Sequence, residues 1–234
     1  MRRACCARCI RRSASRRGSF KRMVVSRRYR LYVFDLDGTI VNTIKDIGEA
    51  FAETLVQAGY PRPTMEQVTA AVGGGAKMAL KRLTGLDAAQ AEPMIAHFLE
   101  IYGETCTAHA APYPGVPELL ARLAGEGAVL ALVTMKAKVP THKILRALGL
   151  DVFDEVIAYE DAERRKPDPE SLLRLMAKYG VSPVDTLMVG DAVTDIQYAE
   201  AAGADSCAVL QGYGETAALL AAKPTYALDS LREF

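Results

Sequence analysis

The fold of this chain is constrained most by short apolar runs that alternate with helical patterns. One apolar run covers residues 31–34, and four more follow helical patterns in the second half of the chain. Strands that are apolar throughout and joined by helices are typical of a parallel sheet covered on both faces. We therefore predict an α/β fold. The paired helix and strand patterns are 116–125 with 129–133, 140–148 with 156–158, 169–179 with 186–189, and 195–202 with 206–209.

Residues 45–110 differ from the rest of the chain because they hold helical patterns and no β-rich run. Thr64 is placed to cap the second of these helices, and three glycines at 73–75 separate it from the third. We predict an all-helical insertion over 45–110, carried by a core made of 23–44 and 111–234. The four predicted helices are 46–58, 64–72, 77–83 and 88–105.

The charge of the chain is segregated. Residues 1–22 carry nine of the 29 basic residues and no acidic residue, so 23–234 hold 20 basic and 28 acidic residues, a net charge of −8. An acidic body argues against nucleic acid as a partner. The basic leader, predicted to be disordered, is read in three ways: an organellar transit peptide, an arm for anionic partners, or translation upstream of a true start at Met23. We favour the last.

Composition narrows the class of protein further. Half of the residues are hydrophobic, but no apolar stretch approaches the ~20 residues that a membrane span needs. Three of the five cysteines lie in the leader with no histidine near them, so no zinc site is expected. We expect no membrane partner and a cytoplasmic location, or an organellar one if 1–22 are a transit peptide.

Polar residues follow the predicted core strands where each strand ends. Two aspartates follow the first strand, a threonine with Lys136 close by follows the second, a lysine lies in the loop after the third, and two aspartates follow the fourth. The Asp-Gly pair after the first strand would, by itself, also fit a tight turn. Because carboxyl ends of parallel strands meet at one edge of a sheet, we expect these side chains to converge. They are Asp35 and Asp37, Thr134, Lys166, and Asp191 and Asp195.

This set of residue types suits a phosphoryl group and a divalent metal. One carboxylate can attack phosphorus while another handles a proton. Lys166, the Thr134 hydroxyl and backbone N–H groups after Asp35 can bind phosphoryl oxygens. Carboxylates so close together would repel one another unless a cation lies among them, and oxygen ligands without His or Cys select Mg²⁺.

Four motifs in order resemble those of the haloacid dehalogenase-like hydrolase superfamily over residues 30–234. They are Asp-Leu-Asp-Gly-Thr at 35–39, Thr134, Lys166 in Arg-Lys-Pro-Asp-Pro at 165–169, and Gly-Asp-Ala-Val-Thr-Asp at 190–195. The resemblance implies a Rossmann-like three-layer core with a parallel sheet, plus a small all-helical cap domain over 45–110.

The same resemblance implies a role for each motif residue. Asp35 would be the nucleophile that forms an aspartyl-phosphate, and Asp37 would protonate the leaving group and then activate water. Thr134 and Lys166 would hold the phosphoryl oxygens, with the turn at Gly38 also binding substrate. Asp35, the Asp37 main-chain carbonyl and Asp191 would bind Mg²⁺, with Asp195 behind them.

The second aspartate fits cleavage of a P–O bond, since the leaving alkoxide needs a proton. The insertion resembles the cap of the phosphoglycolate phosphatase-like branch, because glycines 73–75 are followed by Lys77. We predict that Lys77 and Arg82 contact a carboxylate of the substrate. Met135 and Asn42 depart from the pattern of this branch, and these departures weaken the assignment of any single substrate.

The leading hypothesis from the sequence is a Mg²⁺-dependent phosphatase, either monomeric or homodimeric. It would act on a small phosphorylated metabolite, with 2-phosphoglycolate the first candidate. The alternatives are an inorganic pyrophosphatase or a sugar-phosphate mutase on the same scaffold, and a non-catalytic binding protein. The intact Asp35, Asp37, Lys166 and Asp191 argue against the last.

Overall fold

The structure, a computed structural model, describes Val25 and residues 27–234. The basic leader predicted for residues 1–22 lies outside the described residues. The prediction of an α/β fold is confirmed by a sheet of six parallel strands: β1 Leu31–Phe34, β4 Val129–Val133, β5 Glu155–Ile157, β6 Thr186–Gly190, β7 Asp205–Val209 and β8 Tyr226–Leu228. Their order across the sheet is β5-β4-β1-β6-β7-β8.

Both faces of the sheet are buried at its centre, which is why β1 and β4 are apolar throughout. Along β1 the side chains alternate, so that Tyr32 and Phe34 join one hydrophobic cluster while Leu31 and Val33 join the other. The first cluster includes residues of α5 and α6, and the second includes residues of α7 and α8. These three layers match the predicted core. The helices are α5 Val116–Gly125, α6 Lys138–Ala147, α7 Glu170–Tyr179 and α8 Val193–Ala202, and the shorter α9 Thr216–Ala221 follows β7.

Four helices follow β1 in the chain and precede the other strands of the main sheet. We call them the helical insertion: α1 Ile44–Gln57, α2 Met65–Ala71, α3 Gly75–Thr84 and α4 Ala88–Thr105. Their bounds lie within two residues of the predicted ones. Thr64 caps α2 as expected, and Gln67 completes a capping box. Gly73 and Gly75 have φ angles of 110° and 80°, which L side chains rarely adopt, so the glycines allow the sharp turn between α2 and α3.

The chain enters and leaves the helical insertion at one place. The two-residue strands β2 (Val41–Asn42) and β3 (Ala111–Pro112) pair antiparallel beside the main sheet. Buried Asp46, in the first turn of α1, accepts hydrogen bonds from the backbone N–H groups of His109 and Ala110 and lies 2.7 Å from the His109 ring. The two chain segments that join the helical insertion to the core are therefore hydrogen-bonded to each other.

Candidate active site

The polar residues predicted at the strand ends meet around one cavity of about 360 Å³. β1, β4 and β6 are neighbours in the sheet, so their carboxyl ends open onto one edge. The loop before α7 reaches this edge, and α1, α3 and α4 border the opposite side of the cavity. Six residues of this lining belong to the core and were singled out from the sequence. We call them the core edge: Asp35, Asp37, Thr134, Lys166, Asp191 and Asp195.

Lys166 is the centre of charge in the core edge. Its buried ammonium donates to Asp35 Oδ1 and to Asp195 Oδ1, both at 2.7 Å. Burial alone would lower the pKa of Lys166, but Asp195 and Asp35 hold it above its usual range. The lysine therefore stays protonated, and it fixes the position of the predicted nucleophile, Asp35.

Asp191 is held from two sides, by Thr39 of the first motif and by Tyr213, which the sequence did not single out. Its Oδ1 accepts from the Thr39 hydroxyl at 2.9 Å, and its Oδ2 accepts from the Tyr213 backbone N–H at 2.7 Å. Tyr213 lies between Gly212 and Gly214, and a Cβ added at either glycine would overlap Asp191. The loop after β7 can approach Asp191 so closely only because these two residues have no side chain.

Three carboxylates of the core edge are crowded together. One oxygen each of Asp35, Asp191 and Asp195 lies within 4.8 Å of the others. Burial raises the pKa of Asp35 to about 7, with Asp195 and Asp191 adding to the effect and Lys166 opposing it. Burial and then Asp195 raise the pKa of Asp191 to about 6. A divalent cation would relieve this repulsion, and the all-oxygen set of ligands fits a hard ion.

The Asp37 side chain points to a different set of partners. Its two oxygens accept from the ammonium of Lys136 at 2.8 and 3.0 Å, and Oδ1 also accepts from the Thr43 hydroxyl at 2.6 Å. Lys136 also donates to the hydroxyl of Tyr102 on α4, at 2.6 Å. The carboxylates of Asp35 and Asp37, two positions apart, are thus held by different lysines.

Thr134 and Gly38 are placed differently from one another. Thr134 is buried at the end of β4, borders the cavity, and accepts from the Lys136 backbone N–H at 3.2 Å. Gly38 does not border the cavity, and its N–H donates to the Val41 carbonyl, so it is not free to bind a phosphoryl oxygen. With φ of 82° and no room for a Cβ beside Asp191, Gly38 serves the turn and the close approach of that aspartate instead.

The helical insertion contributes a mostly apolar wall to the cavity. Among the described residues, Lys77 on α3 and Glu92 on α4 are its charged side chains in the lining. Arg82 points elsewhere: it is exposed and donates to the Ala71 carbonyl at 2.9 Å, so the expectation that it reaches a substrate is not met. The apolar wall consists of Ile47, Phe51, Val72, Ile95, Phe98 and Leu99.

The two arginines that precede Lys166 in the sequence lie outside the cavity lining. Arg165 stacks its guanidinium 3.8 Å from the ring centre of Tyr159, and Arg164 pairs with Asp168 at 3.5 Å. The three histidines do not border the cavity either. In the part of the chain that the structure describes, no helix has the length and apolar character to cross a membrane.

Comparison with known proteins points in one direction. A family model described as haloacid dehalogenase-like hydrolase matches residues 32–209. A phosphoglycolate phosphatase of Thiobacillus denitrificans is 36% identical over 188 residues, covering 77% of this chain and 83% of the relative. An N-acetylmuramic acid 6-phosphate phosphatase of Pseudomonas aeruginosa is 33% identical over 189 residues, covering 80% and 84%.

Solved structures share the fold over nearly their whole length. A predicted phosphoglycolate phosphatase from Haemophilus somnus superimposes with a TM-score of 0.78 at 29% identity, covering 86% of this chain and 94% of the other. A haloacid dehalogenase-like hydrolase from Bacteroides fragilis gives a TM-score of 0.82 at 26% identity, covering 87% and 98%.

Proposed function

The chain belongs to the haloacid dehalogenase-like hydrolases and is a phosphoric monoester hydrolase, and on that premise we propose that it hydrolyses 2-phosphoglycolate with Mg²⁺ through an aspartyl-phosphate at Asp35. The observation that carries this proposal is the core edge itself. The buried Asp35 carboxylate can attack phosphorus, the protonated lysine 2.7 Å away can neutralise charge on the phosphoryl oxygens, and the two neighbouring carboxylates suit a divalent cation.

In the proposed first step, an oxygen of Asp35 forms a bond to phosphorus as the bond from phosphorus to the leaving oxygen breaks. Asp37 gives that oxygen the proton that it took from water in the preceding turnover, so the alcohol leaves neutral. Lys166 and the Thr134 hydroxyl bind the phosphoryl oxygens. In the second step Asp37 takes a proton from water, whose oxygen attacks phosphorus and returns Asp35 as a free carboxylate.

The residues proposed to hold Mg²⁺ are Asp35, Asp191 and the main-chain carbonyl of Asp37. Burial raises the pKa values of Asp35 and Asp191 and the neighbouring carboxylates add to the effect, which supports this assignment because a bound cation would stabilise the ionised form of both carboxyls. Bound Mg²⁺ would supply positive charge to the phosphoryl oxygens. Asp195 would stay with Lys166 and keep that lysine in place.

Two observations bear on the substrate. Lys77 borders the cavity and is proposed to bind the carboxylate of phosphoglycolate, the substrate in the names of several relatives. The volume of about 360 Å³ also leaves room for a larger alcohol, so a sugar phosphate is the second candidate. A sugar phosphate is the substrate named for the Pseudomonas aeruginosa relative above.

A phosphate-release assay tests the proposal. Purified protein is given phosphoglycolate, N-acetylmuramic acid 6-phosphate and pyrophosphate, each with Mg²⁺ and with a chelator. We expect Mg²⁺-dependent release with the highest kcat/KM on phosphoglycolate. Higher kcat/KM on pyrophosphate would contradict the ester assignment, and isomerisation of a sugar phosphate without phosphate release would indicate a mutase.

The covalent step is tested separately. Acid quenching during turnover of a ³²P-labelled ester should leave label on the wild-type protein and none on Asp35→Asn. Turnover without label on the protein, under conditions where phosphate release is rapid, would favour direct attack by water.

A further inference from the structure

Lys136 is a buried cation that the proposed chemistry leaves without a task. Its side chain is 4% exposed, and it follows β4 two positions after Thr134. Burying an ammonium is costly unless its donors are used. Among the described residues, its ammonium donates only to groups that border the cavity: both oxygens of Asp37 and the hydroxyl of Tyr102.

The contacts of Lys136 fix the direction in which Asp37 points. A carboxylate that accepts through both oxygens from one ammonium, at 2.8 and 3.0 Å, cannot rotate about its last bond without losing a contact. The Thr43 hydroxyl adds a third contact to Oδ1 at 2.6 Å. Lys136 is itself held by its backbone, since its carbonyl accepts from the Tyr159 N–H at 2.9 Å.

The other partner of Lys136 belongs to the helical insertion. Tyr102 lies near the end of α4, is buried, and places both its hydroxyl and its ring against the ammonium, with the ring centre 4.5 Å away. The ring also stacks on Phe98, which stacks on Phe51. A line of packed side chains therefore runs from the apolar wall of the cavity to the lysine that holds Asp37.

We propose that Lys136 is a positioning residue for proton transfer: with Tyr102, it aims the Asp37 carboxyl group at the leaving oxygen. This inference rests on the proposed function, in which Asp37 is the acid. A role in positioning Asp37 predicts a dependence on the leaving group that a purely structural role of Lys136 does not predict. Substrates whose leaving oxygen needs a proton should depend on Lys136, and substrates with a stable leaving anion should not.

Two esters of similar size separate these cases, and neither carries a carboxylate for Lys77. Benzyl phosphate must release an alkoxide, whereas 4-nitrophenyl phosphate releases a stabilised phenolate. We expect Lys136→Met to lower kcat/KM on benzyl phosphate by about 10²-fold, the order that a placed general acid contributes, and on 4-nitrophenyl phosphate by a far smaller factor. Tyr102→Phe keeps the ring and the Lys136–Asp37 pair, and it should shift the ratio of the two kcat/KM values in the same direction by a smaller factor.

Lys143→Met is the matched control. Lys143 also joins the core to α4, because its ammonium donates to the Gly103 carbonyl at 2.7 Å, but it does not touch Asp37. Its loss should leave the ratio unchanged. Melting temperatures of all variants report whether each one folds.

The outcomes are distinct. A shift of the ratio toward 4-nitrophenyl phosphate in Lys136→Met and Tyr102→Phe, but not in Lys143→Met, supports the inference. Equal losses on both esters in folded variants overturn it. Wild-type protein that releases phosphate from no ester, phosphoglycolate included, overturns the proposed function and the inference with it.

Discussion

The charged side chains of the core edge are buried or half-buried and each has a hydrogen-bond partner, whereas the helical insertion faces the same cavity with a mostly apolar wall. Lys166 joins Asp35 and Asp195, and Asp191 is held by Thr39 and Tyr213. On the side of the helical insertion, the Lys77 side chain is exposed and makes no hydrogen bond or ion pair with any residue that the structure describes. Fixed groups suit a reaction, since they need no rearrangement as charge develops. Exposed groups on the insertion suit the choice of substrate.

Removing the proposed nucleophile of the core edge should lower turnover more than any other change. Asp35→Asn replaces a carboxylate with an amide, which is a poor nucleophile and a weaker metal ligand, so kcat should fall by about 10⁴-fold or more on every ester. Steady-state phosphate release measures it. An Asp35→Asn enzyme that kept a substantial fraction of wild-type turnover would place the covalent chemistry elsewhere.

Lys166→Ala should be nearly as harmful to turnover. It removes one charge from the phosphoryl site and leaves two buried carboxylates without their cation, so we expect a loss of about 10²-fold or more in kcat/KM. The loss should be similar for all esters, because the phosphoryl group is common to them. A loss confined to one leaving group would show that Lys166 acts on selectivity.

Mg²⁺ affinity should fall with acidity in the pH range set by the core edge. The metal needs ionised carboxylates, and the pKa values of Asp35 and Asp191 are raised to about 7 and about 6. Below these values the protons must be displaced, so the dissociation constant should rise by about 10-fold or more between pH 8 and pH 6. Titration calorimetry at the two pH values measures it. Equal affinity at both would mean that these carboxyls are not the ligands.

Lys77→Ala should have the smallest effect, and a selective one. We expect KM for phosphoglycolate to rise several-fold, about 1 kcal/mol of binding, with kcat little changed and 4-nitrophenyl phosphate nearly unaffected. Lys81→Ala is the matched control, because Lys81 lies on the same helix but does not border the cavity. Equal losses on both substrates would make Lys77 part of the structure or the chemistry, and the comparison between core edge and insertion would fail.

The sequence predicted the elements whose patterns are long and the polar groups that stand at strand ends. The helix over 88–105 and the strand over 129–133 appear at the predicted bounds as α4 and β4. Shorter elements carried too little periodicity: α9 has six residues and β8 has three, and neither was predicted.

The partners of the site residues were harder to predict because they depend on tertiary approach. Tyr213 and Tyr102 reach the site from a loop and from the far end of a helix, with no spacing that links them to Asp37 or Asp191. Glycines 212 and 214 on either side of Tyr213 were the available signal for a close approach. Gly38 showed the opposite case: its motif position suggested a donor to phosphate, but its N–H is used by the turn.

We expect the paired strands β2 and β3 to make the helical insertion an exchangeable module. Because Asn42 and Ala111 are partners across an antiparallel pair, the ends of the inserted segment are neighbours. Closing the chain there with a tight turn would need few residues and little loop-closure entropy. We therefore expect that insertions of different length and sequence can be transplanted onto this sheet, and that a lineage can acquire new substrates by replacing one contiguous stretch of its gene while the reaction centre is inherited unchanged.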